Sequence, residues 1–547
     1  MHPDWWQRGV VYQLYLRSFA DSNGDGVGDL TGVIGHLDHL NDGTPGSLGV
    51  DAILLSPMYP SPGFDVGYDV SDYRAIDSTF GTMDDFSSLL EAAHRRGTAV
   101  ILDLVMNHTS HLHPWFAASR ESRTGPFADW YLWRDPVRRG WRGRRRRPNN
   151  WVSFFGGSAW TWDPGRGQFY LHTFLPQQPD LNWRSPEVRA AMLDMIRHWL
   201  DRGVDGFRLD VFNVFFKDRE LTSNPRRWRG GIRGWDRQRH LHNKDQPELN
   251  EFLTEFRALL DAAPGRMSVG ELFFGDPAGA ARYAAPRHLV FDFRLSEPTW
   301  RADELAAAID EREAAFGPTR WPTVVLSNHD QPRHTTRFAR GPERDAVAKA
   351  AAVLLLTLRG TPFLYYGEEI GLGDVRVPRR EIIDPPARRY WPLPIWRNRD
   401  ASRAPLPWTA EDPARTWMRM APDAATRNVE RQAANSDSVL ALYRRLIWLR
   451  KRSPALQTGE FAWEVRARSG VLAYWRQLPG ERVLVAINTR DTRASVALPD
   501  AVAWQALLTT SPAGVGPIPT TALPLRPYEA VILRQDPGGV ASPPSMQ

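Results

Sequence analysis

The sequence predicts an α/β chain organised as a (β/α)₈ barrel, with an inserted lobe after strand 3 and a C-terminal antiparallel β domain. Three observations predict it. Eight short apolar runs recur with helical patterns between them. One long stretch after the third run breaks that alternation. From about residue 458 the pattern changes to short alternating runs.

The eight runs lie at 9–19 (GVVYQLYLRSF), 51–57 (DAILLSP), 98–105 (TAVILDLV), 206–211 (GFRLDV), 267–273 (MSVGELF), 288–293 (HLVFDF), 323–327 (TVVLS) and 362–366 (PFLYY). They are continuous rather than alternating, which suits parallel strands covered on both faces. Helices are expected between them. Ser185 reads as an N-cap followed by Pro186 in the first turn, and Val188, Met192, Met195, Trp199 and Leu200 form one apolar stripe that Gly203 ends. Residues 84–96 before Gly97, and 345–359 before Gly360, repeat that design. Residues 107–184 are rich in Trp, Pro, Gly and Arg and show no clear helix. The later alternating runs, at 471–476, 482–488, 494–498 and 530–534, read as antiparallel strands. The chain thus divides into a barrel over 1–106 and 185–457, a lobe over 107–184 above the barrel mouth, a β domain over 458–535 and a disordered tail over 536–547.

Composition removes several function classes. There is no Cys, so neither a disulfide framework nor a thiolate metal site can form. No stretch of about 18 apolar residues exists to span a membrane, and the N-terminus lacks a signal-peptide pattern. A soluble, cytoplasmic protein is expected. The net charge of +6 owes part of its excess to four consecutive arginines at 144–147. No helical stripe or stacking platform accompanies them, so a solvated loop is expected rather than a nucleic-acid partner. Twenty-three Trp offer flat amphipathic faces suited to sugar rings, though many must fill a large core.

The polar residues fall where a barrel places its chemistry, at the C-terminal ends of strands. The third run ends in Asp103, Asn107 and His108, the fourth in Arg208 and Asp210, the fifth in Glu271 and the seventh in Asn328, His329 and Asp330. Carboxylates, two His and an Arg on four strand ends are hard to explain as packing.

These segments (DLVMNH, GFRLD, GEL and SNHD, with QPDLNW at 178–183) resemble, in order, the signature regions of the α-amylase family of glycoside hydrolases. The resemblance runs from about Trp5 to the β domain. It implies that Asp210 is the nucleophile of a retaining reaction, that Glu271 is the general acid/base, and that Asp330 binds sugar hydroxyls and favours the distorted ring. Such a mechanism needs two carboxyls about 5–5.5 Å apart, one ionised and one protonated. Arg208, two residues before Asp210, should point the same way and keep Asp210 ionised. Glu271 should have a raised pKa. His108 and His329 are expected to donate to hydroxyls, with Asp103 and Asn107 as supports.

GFDVGYD at 63–69 resembles the family segment whose Tyr stacks on the sugar that is cleaved off, so Tyr68 takes that role. Asp65 and Arg399 match the Asp and Arg that close the pocket beyond one glucose in the exo-acting α-glucosidase branch. Val211, after the nucleophile, matches relatives that prefer α-1,6 linkages. The resemblance therefore implies an oligo-1,6-glucosidase type of α-glucosidase acting on a small α-glucoside or oligosaccharide. A glucosyl transferase or sugar isomerase using the same covalent intermediate is the alternative. Residues 404–408 read Ala-Pro-Leu-Pro-Trp where close relatives read Thr-Pro-Met-Gln-Trp, which leaves the aglycone open. No cofactor is expected for the chemistry. Oxygen donors do alternate along Asp21, Asn23, Asp25 and Asp29, with Gly26 at the turn, as a Ca²⁺ loop begins. The loop fails as an EF-hand because Gly32 stands where a bidentate Glu belongs. Its resemblance to the branch's first loop implies a structural Ca²⁺ or Mg²⁺ on those side chains and the Val27 carbonyl. Oligomeric state has no signature.

Overall fold

The structure is a computed structural model and describes residues 4–138, 145–284, 288–339, 341–393, 395–411, 416–498, 503–512, 514 and 521–535. Eight parallel strands form one sheet: β1 (Val11–Leu14), β2 (Ala52–Leu55), β3 (Ala99–Leu104), β4 (Gly206–Leu209), β5 (Met267–Gly270), β6 (Leu289–Val290), β7 (Thr323–Val325) and β8 (Thr361–Tyr365). Their order is 6-5-4-3-2-1-8-7, so β6 and β7 are the two edges. The Thr323 hydroxyl spans that seam, donating to the Val290 carbonyl at 3.3 Å and accepting from Asp292 N–H at 3.0 Å. The first seven strands lie inside their expected runs and are shorter, and β8 is displaced by one residue, starting at Thr361 rather than Pro362. The first run overshoots most, because the chain turns into the 3₁₀ helix Leu16–Ser18, in which Leu16 and Ser18 stay buried.

Period-two alternation sorts the strand residues into two cores. Val11, Ala52, Leu54, Ala99, Ile101, Met267, Val269, Leu289, Val325 and Phe363 fill the barrel interior. Their neighbours Tyr12, Ile53, Val100, Leu102, Phe207 and Leu209 face outward into the larger cluster beneath the helices. Farther up the strands the inward positions turn polar, and this change of composition makes the mouth a reactive surface over a packed plug.

The helix Pro186–Asp201 starts as expected, with the Ser185 hydroxyl accepting from Val188 N–H and Pro186 in the first turn. Gly203 follows it at φ 99°, a conformation a Cβ would strain. Met83–Arg95 begins with a capping box between Thr82 and Asp85. Arg344–Thr357 ends sooner than the expected Arg359, since Leu358 is already extended. The lobe also departs from expectation: Pro114–Glu121 is a helix, capped by the His113 ring, which accepts from Trp115 N–H. Eight residues beginning with Pro give too little periodicity to stand out. Beside it Trp133–Arg134, Trp160–Asp163 and Gln168–Leu171 form a three-stranded sheet. In the Arg run, Arg145 and Arg146 form a short ribbon with Val137 and Arg138 rather than a free loop, and Arg145 lies over the Trp162 ring at 4.3 Å. Arg144 and the tail 536–547 lie outside the described residues.

Glu460–Arg468, Val471–Leu478, Glu481–Asn488, Ala530–Gln535 and Trp504–Thr509 pair in that order as an antiparallel sheet. Among the described residues no helix is long and apolar enough to cross a membrane.

Candidate active site

The polar inward positions converge because adjacent strands are in register. Asp103 on β3 pairs with Arg208 on β4. Arg208 is buried, and its Nη1 donates to Asp103 Oδ2 at 2.5 Å. The same nitrogen lies 3.1 Å from Asp210 Oδ1, and Nη2 donates to Glu271 Oε2. One guanidinium thus holds three carboxylates. Asp210 and Glu271 contact adjacent nitrogens of the same guanidinium.

The Asp210 N–H donates to the Leu104 carbonyl at 3.0 Å, which carries the β3–β4 ladder one residue beyond the strand. The chain then turns at Val211, held at φ 37° and ψ 39°. That region is rare for a β-branched residue. The turn is closed by Val214 N–H donating to the Val211 carbonyl at 3.0 Å.

Asp210, Val211, Glu271, Asp330, Asp65, Tyr68, His108 and Arg399 line a single cavity of about 440 Å³. That size falls within the usual range for small-molecule sites, about 300–1,000 Å³. Two expected residues sit behind its wall. Arg208 is one. His329 is the other: its Nε2 lies 2.8 Å from the Tyr68 hydroxyl and its Nδ1 3.3 Å from Gln13 Nε2. The His329 ring stacks on Tyr68 at 5.5 Å, and the Tyr68 hydroxyl donates to Asp103 at 2.9 Å, so both partners orient the Tyr face. His108 likewise engages the Tyr68 carbonyl through Nε2 at 2.9 Å and Asn107 through Nδ1 at 3.2 Å.

The closed end of the cavity joins distant loops. Arg399 Nη2 meets Asp65 Oδ1 at 2.8 Å, and its Nη1 lies 3.3 Å from Asp330 Oδ1. Buried Asp384 fixes this arginine, accepting from its Nε at 2.9 Å and its backbone N–H at 3.1 Å. Arg403 adds a contact to Asp330 at 2.9 Å, and Gln178 reaches Asp65 at 3.3 Å. Asp69 organises the loop before Tyr68 by accepting from the N–H groups of Phe64 and Asp65. Sequence reasoning missed Asp384 and Arg403 as site residues. No local motif surrounds Asp384, and only the fold brings it to Arg399. It also missed the aromatic wall of Phe154, Phe155, Phe174 and Trp396, for which the density of aromatics in the lobe was the available signal.

Burial and the facing charges set the proton positions. Burial pushes Glu271 up to about 7, with Asp330 and Asp103 adding to it and Arg208 opposing. Burial and the Glu271 and Asp103 charges also push Asp210 well above the carboxylate range, although Arg208 pulls it down. The expectation that Arg208 keeps Asp210 ionised is thus opposed by burial and the neighbouring carboxylates, and the two acids titrate as a pair. Asp330 behaves oppositely. Burial raises it, but the positive charges of Arg399, Arg403 and Arg208 outweigh burial and hold it ionised. Burial takes His329 down to about 3, so its ring is neutral.

In the loop after β1, Asp21 accepts from the N–H groups of Asn23, Gly24 and Gly26, Asn23 from Asp25, and Asp25 from Val27. Asp29 caps the helix Leu30–Gly35 and accepts from Ser22. Among the described residues no group of three or more His, Cys, Asp or Glu gathers as a ligand set.

Comparison with known proteins identifies relatives over most of the chain. The profile described as "Alpha amylase, catalytic domain" matches residues 13–459. A probable alpha-glucosidase of Rhizobium meliloti (strain 1021) is 41% identical, with 91% of each chain covered. An oligo-1,6-glucosidase of Parageobacillus thermoglucosidasius is 36% identical over 92% of this chain and 94% of its own. The crystal structure of an alpha-glucosyl transfer enzyme, XgtA, superposes with a TM-score of 0.89 at 40% identity, covering 97% of this chain and 99% of that one.

Proposed function

The chain belongs to the alpha-amylase family, and from that membership we propose that it is a retaining, exo-acting α-glucosidase. It removes terminal α-linked glucose from short oligosaccharides, with α-1,6 linkages preferred. The observation that carries this reading is the pairing of two features in one cavity: Asp210 and Glu271 on a single guanidinium, and Asp65 with Arg399 across the far end. Two carboxyls on adjacent nitrogens of one guanidinium suit the spacing of a retaining pair, about 5–5.5 Å, rather than that of an inverting pair, about 6.5–9.5 Å, which must admit a water. This supports retention.

The residues divide the work as follows. Tyr68, Asp330, Asp65 and Arg399 surround the terminal sugar, the carboxylates and guanidinium reading its hydroxyls. Glu271 gives its proton to the glycosidic oxygen as the bond to the anomeric carbon breaks, and an Asp210 oxygen forms a bond to that carbon. Glu271, now a carboxylate, takes a proton from water; the water oxygen bonds the anomeric carbon and the Asp210 ester bond breaks. Glucose leaves with both carboxyls restored.

The test is a panel of maltose, isomaltose, trehalose and sucrose, followed by chromatography and by the anomeric form of the first product. Fastest release of α-glucose from isomaltose is the expected result. Release of β-glucose would overturn retention, and internal cleavage of long glucans would overturn exo action. Similarity to an alpha-glucosyl transfer enzyme favours a second reading, in which a sugar hydroxyl replaces water. Its mark would be larger products accumulating in the same panel.

The loop after β1 is proposed to hold a structural Ca²⁺ or Mg²⁺. Asp21, Asn23, Asp25 and the Val27 carbonyl supply hard oxygen donors of the right kind. Asp29 joins them only by giving up its bonds to Ser22 and Gly32. We place the enzyme in the cytoplasm; recovery of the activity in culture medium would refute that.

A further inference from the structure

A second cavity, of about 970 Å³, opens beside the catalytic one, and the Phe274 side chain lines both. Its position follows from the strand that carries Glu271. Leu272, Phe273 and Phe274 continue from that residue along the catalytic cavity wall. Asp65 and Arg399 block the opposite end. Whatever leaves on the Glu271 side passes Phe274 and meets the second cavity.

That cavity is strongly basic. Arg227, Arg229 and Arg239 line it, and among the described residues their side chains form no ion pair. Its two acids are already engaged: Asp236 with Arg233 at 2.7 Å, and Asp245 with Lys244 at 3.3 Å. Backbone bonds give the arginines a frame, with Arg227 N–H donating to the Arg237 carbonyl and Arg239 N–H to the Pro225 carbonyl, both at 2.8 Å. The Trp235 and His240 rings stack beneath at 3.7 Å. Three exposed guanidiniums without an ion-pair partner along one cavity leave their donors available to an anion. The planar fork of Arg matches the oxygens of a phosphate or a carboxylate.

We propose that this cavity binds an anionic group, phosphate or carboxylate, carried on the aglycone of the α-glucoside. The inference rests on the α-glucosidase reading and names a substrate class within it. The preferred substrate is then an acidic glucoside, held at one end by its terminal glucose and at the other by its charge.

The experiment compares kcat/KM for matched pairs, isomaltose with isomaltobionate and trehalose with trehalose 6-phosphate. It uses the full chain and the variant Arg227→Gln/Arg229→Gln/Arg239→Gln, at low and high salt. The full chain should prefer at least one anionic member by roughly tenfold or more, the scale of a charged hydrogen bond, mostly through KM. Added salt should reduce that preference. The variant should lose it while its rate on the neutral member changes by less than about twofold, which also shows that the variant is folded. Which pair responds tells phosphate from carboxylate. Equal cleavage of charged and neutral members by the full chain overturns the proposal, as does an equal loss on both in the charge-reversing variant Arg239→Glu. Failure to cleave any of the four overturns the glucosidase reading itself, so the two failures are distinct.

Discussion

Glu271 owes its proton to a contest that burial wins. The carboxyl sits at about 7, because the desolvation of its charge outweighs the adjoining Arg208. Donation to a leaving oxygen requires the protonated form, so kcat/KM should fall as pH rises through about 7, approaching tenfold per unit. A profile between pH 5 and 9 checks this, and a rate still rising at pH 9 would contradict it. Asp210→Asn should lower kcat on the order of 10⁴-fold with the fold intact by circular dichroism, since the amide cannot form the ester. Asp65→Ala leaves Arg399 partly unmatched at the closed end and should reduce kcat/KM for isomaltose by roughly 10- to 100-fold. Unchanged kinetics would remove the case for exo action. At this scale the sequence was most legible where a carboxylate directly follows a strand, as at Asp210 and Glu271. It was mute where a residue acts from a remote loop, as Asp384 does on Arg399.

The turn after β4 shows how an element serves the site. Asp210 ends the ladder to β3, and the next residue bends back at a backbone conformation costing of order 1–3 kcal/mol for a branched side chain. That cost is met by packing: Val211 lies among Phe155, Phe174, Val214, Trp235 and Phe273. Val211→Thr keeps the shape and the strain but puts a hydroxyl on the cavity wall. The ratio of kcat/KM for isomaltose over maltose should drop by about fivefold or more, the scale of one hydrogen bond. A ratio that does not move would end the assignment of linkage preference to this position. The sequence announced β4 as an apolar run but could not announce this turn, because left-handed backbone at a Val has no local signal. Strand ends blurred for a related reason: buried Leu16 and Phe19 lie beyond β1, in and just after the 3₁₀ helix Leu16–Ser18, where no ladder continues.

Across the whole molecule the barrel was readable because parallel strands buried on both faces leave unbroken apolar runs. The lobe was readable as an interruption, but its helix Pro114–Glu121 and its fold onto the cavity through Phe154 and Phe174 depend on contacts far apart in sequence. The metal proposed for the loop at 21–29 belongs to global stability rather than to chemistry. A cation bound only by the folded state raises the unfolding temperature by mass action. Chelation should therefore lower the unfolding midpoint by a few degrees, and added Ca²⁺ or Mg²⁺ should restore it. A midpoint indifferent to chelator would retire the metal.

The bridge from Asp65 to Arg399 connects the loop after β2 with the 3₁₀ helix Arg399–Ser402. It also gives the catalytic chamber a blind end, so entry and exit share one doorway. Freed glucose must back out before another chain end can enter. The enzyme therefore lets go of its oligosaccharide after every cleavage, and accumulating glucose obstructs the very threshold that fresh substrate must cross.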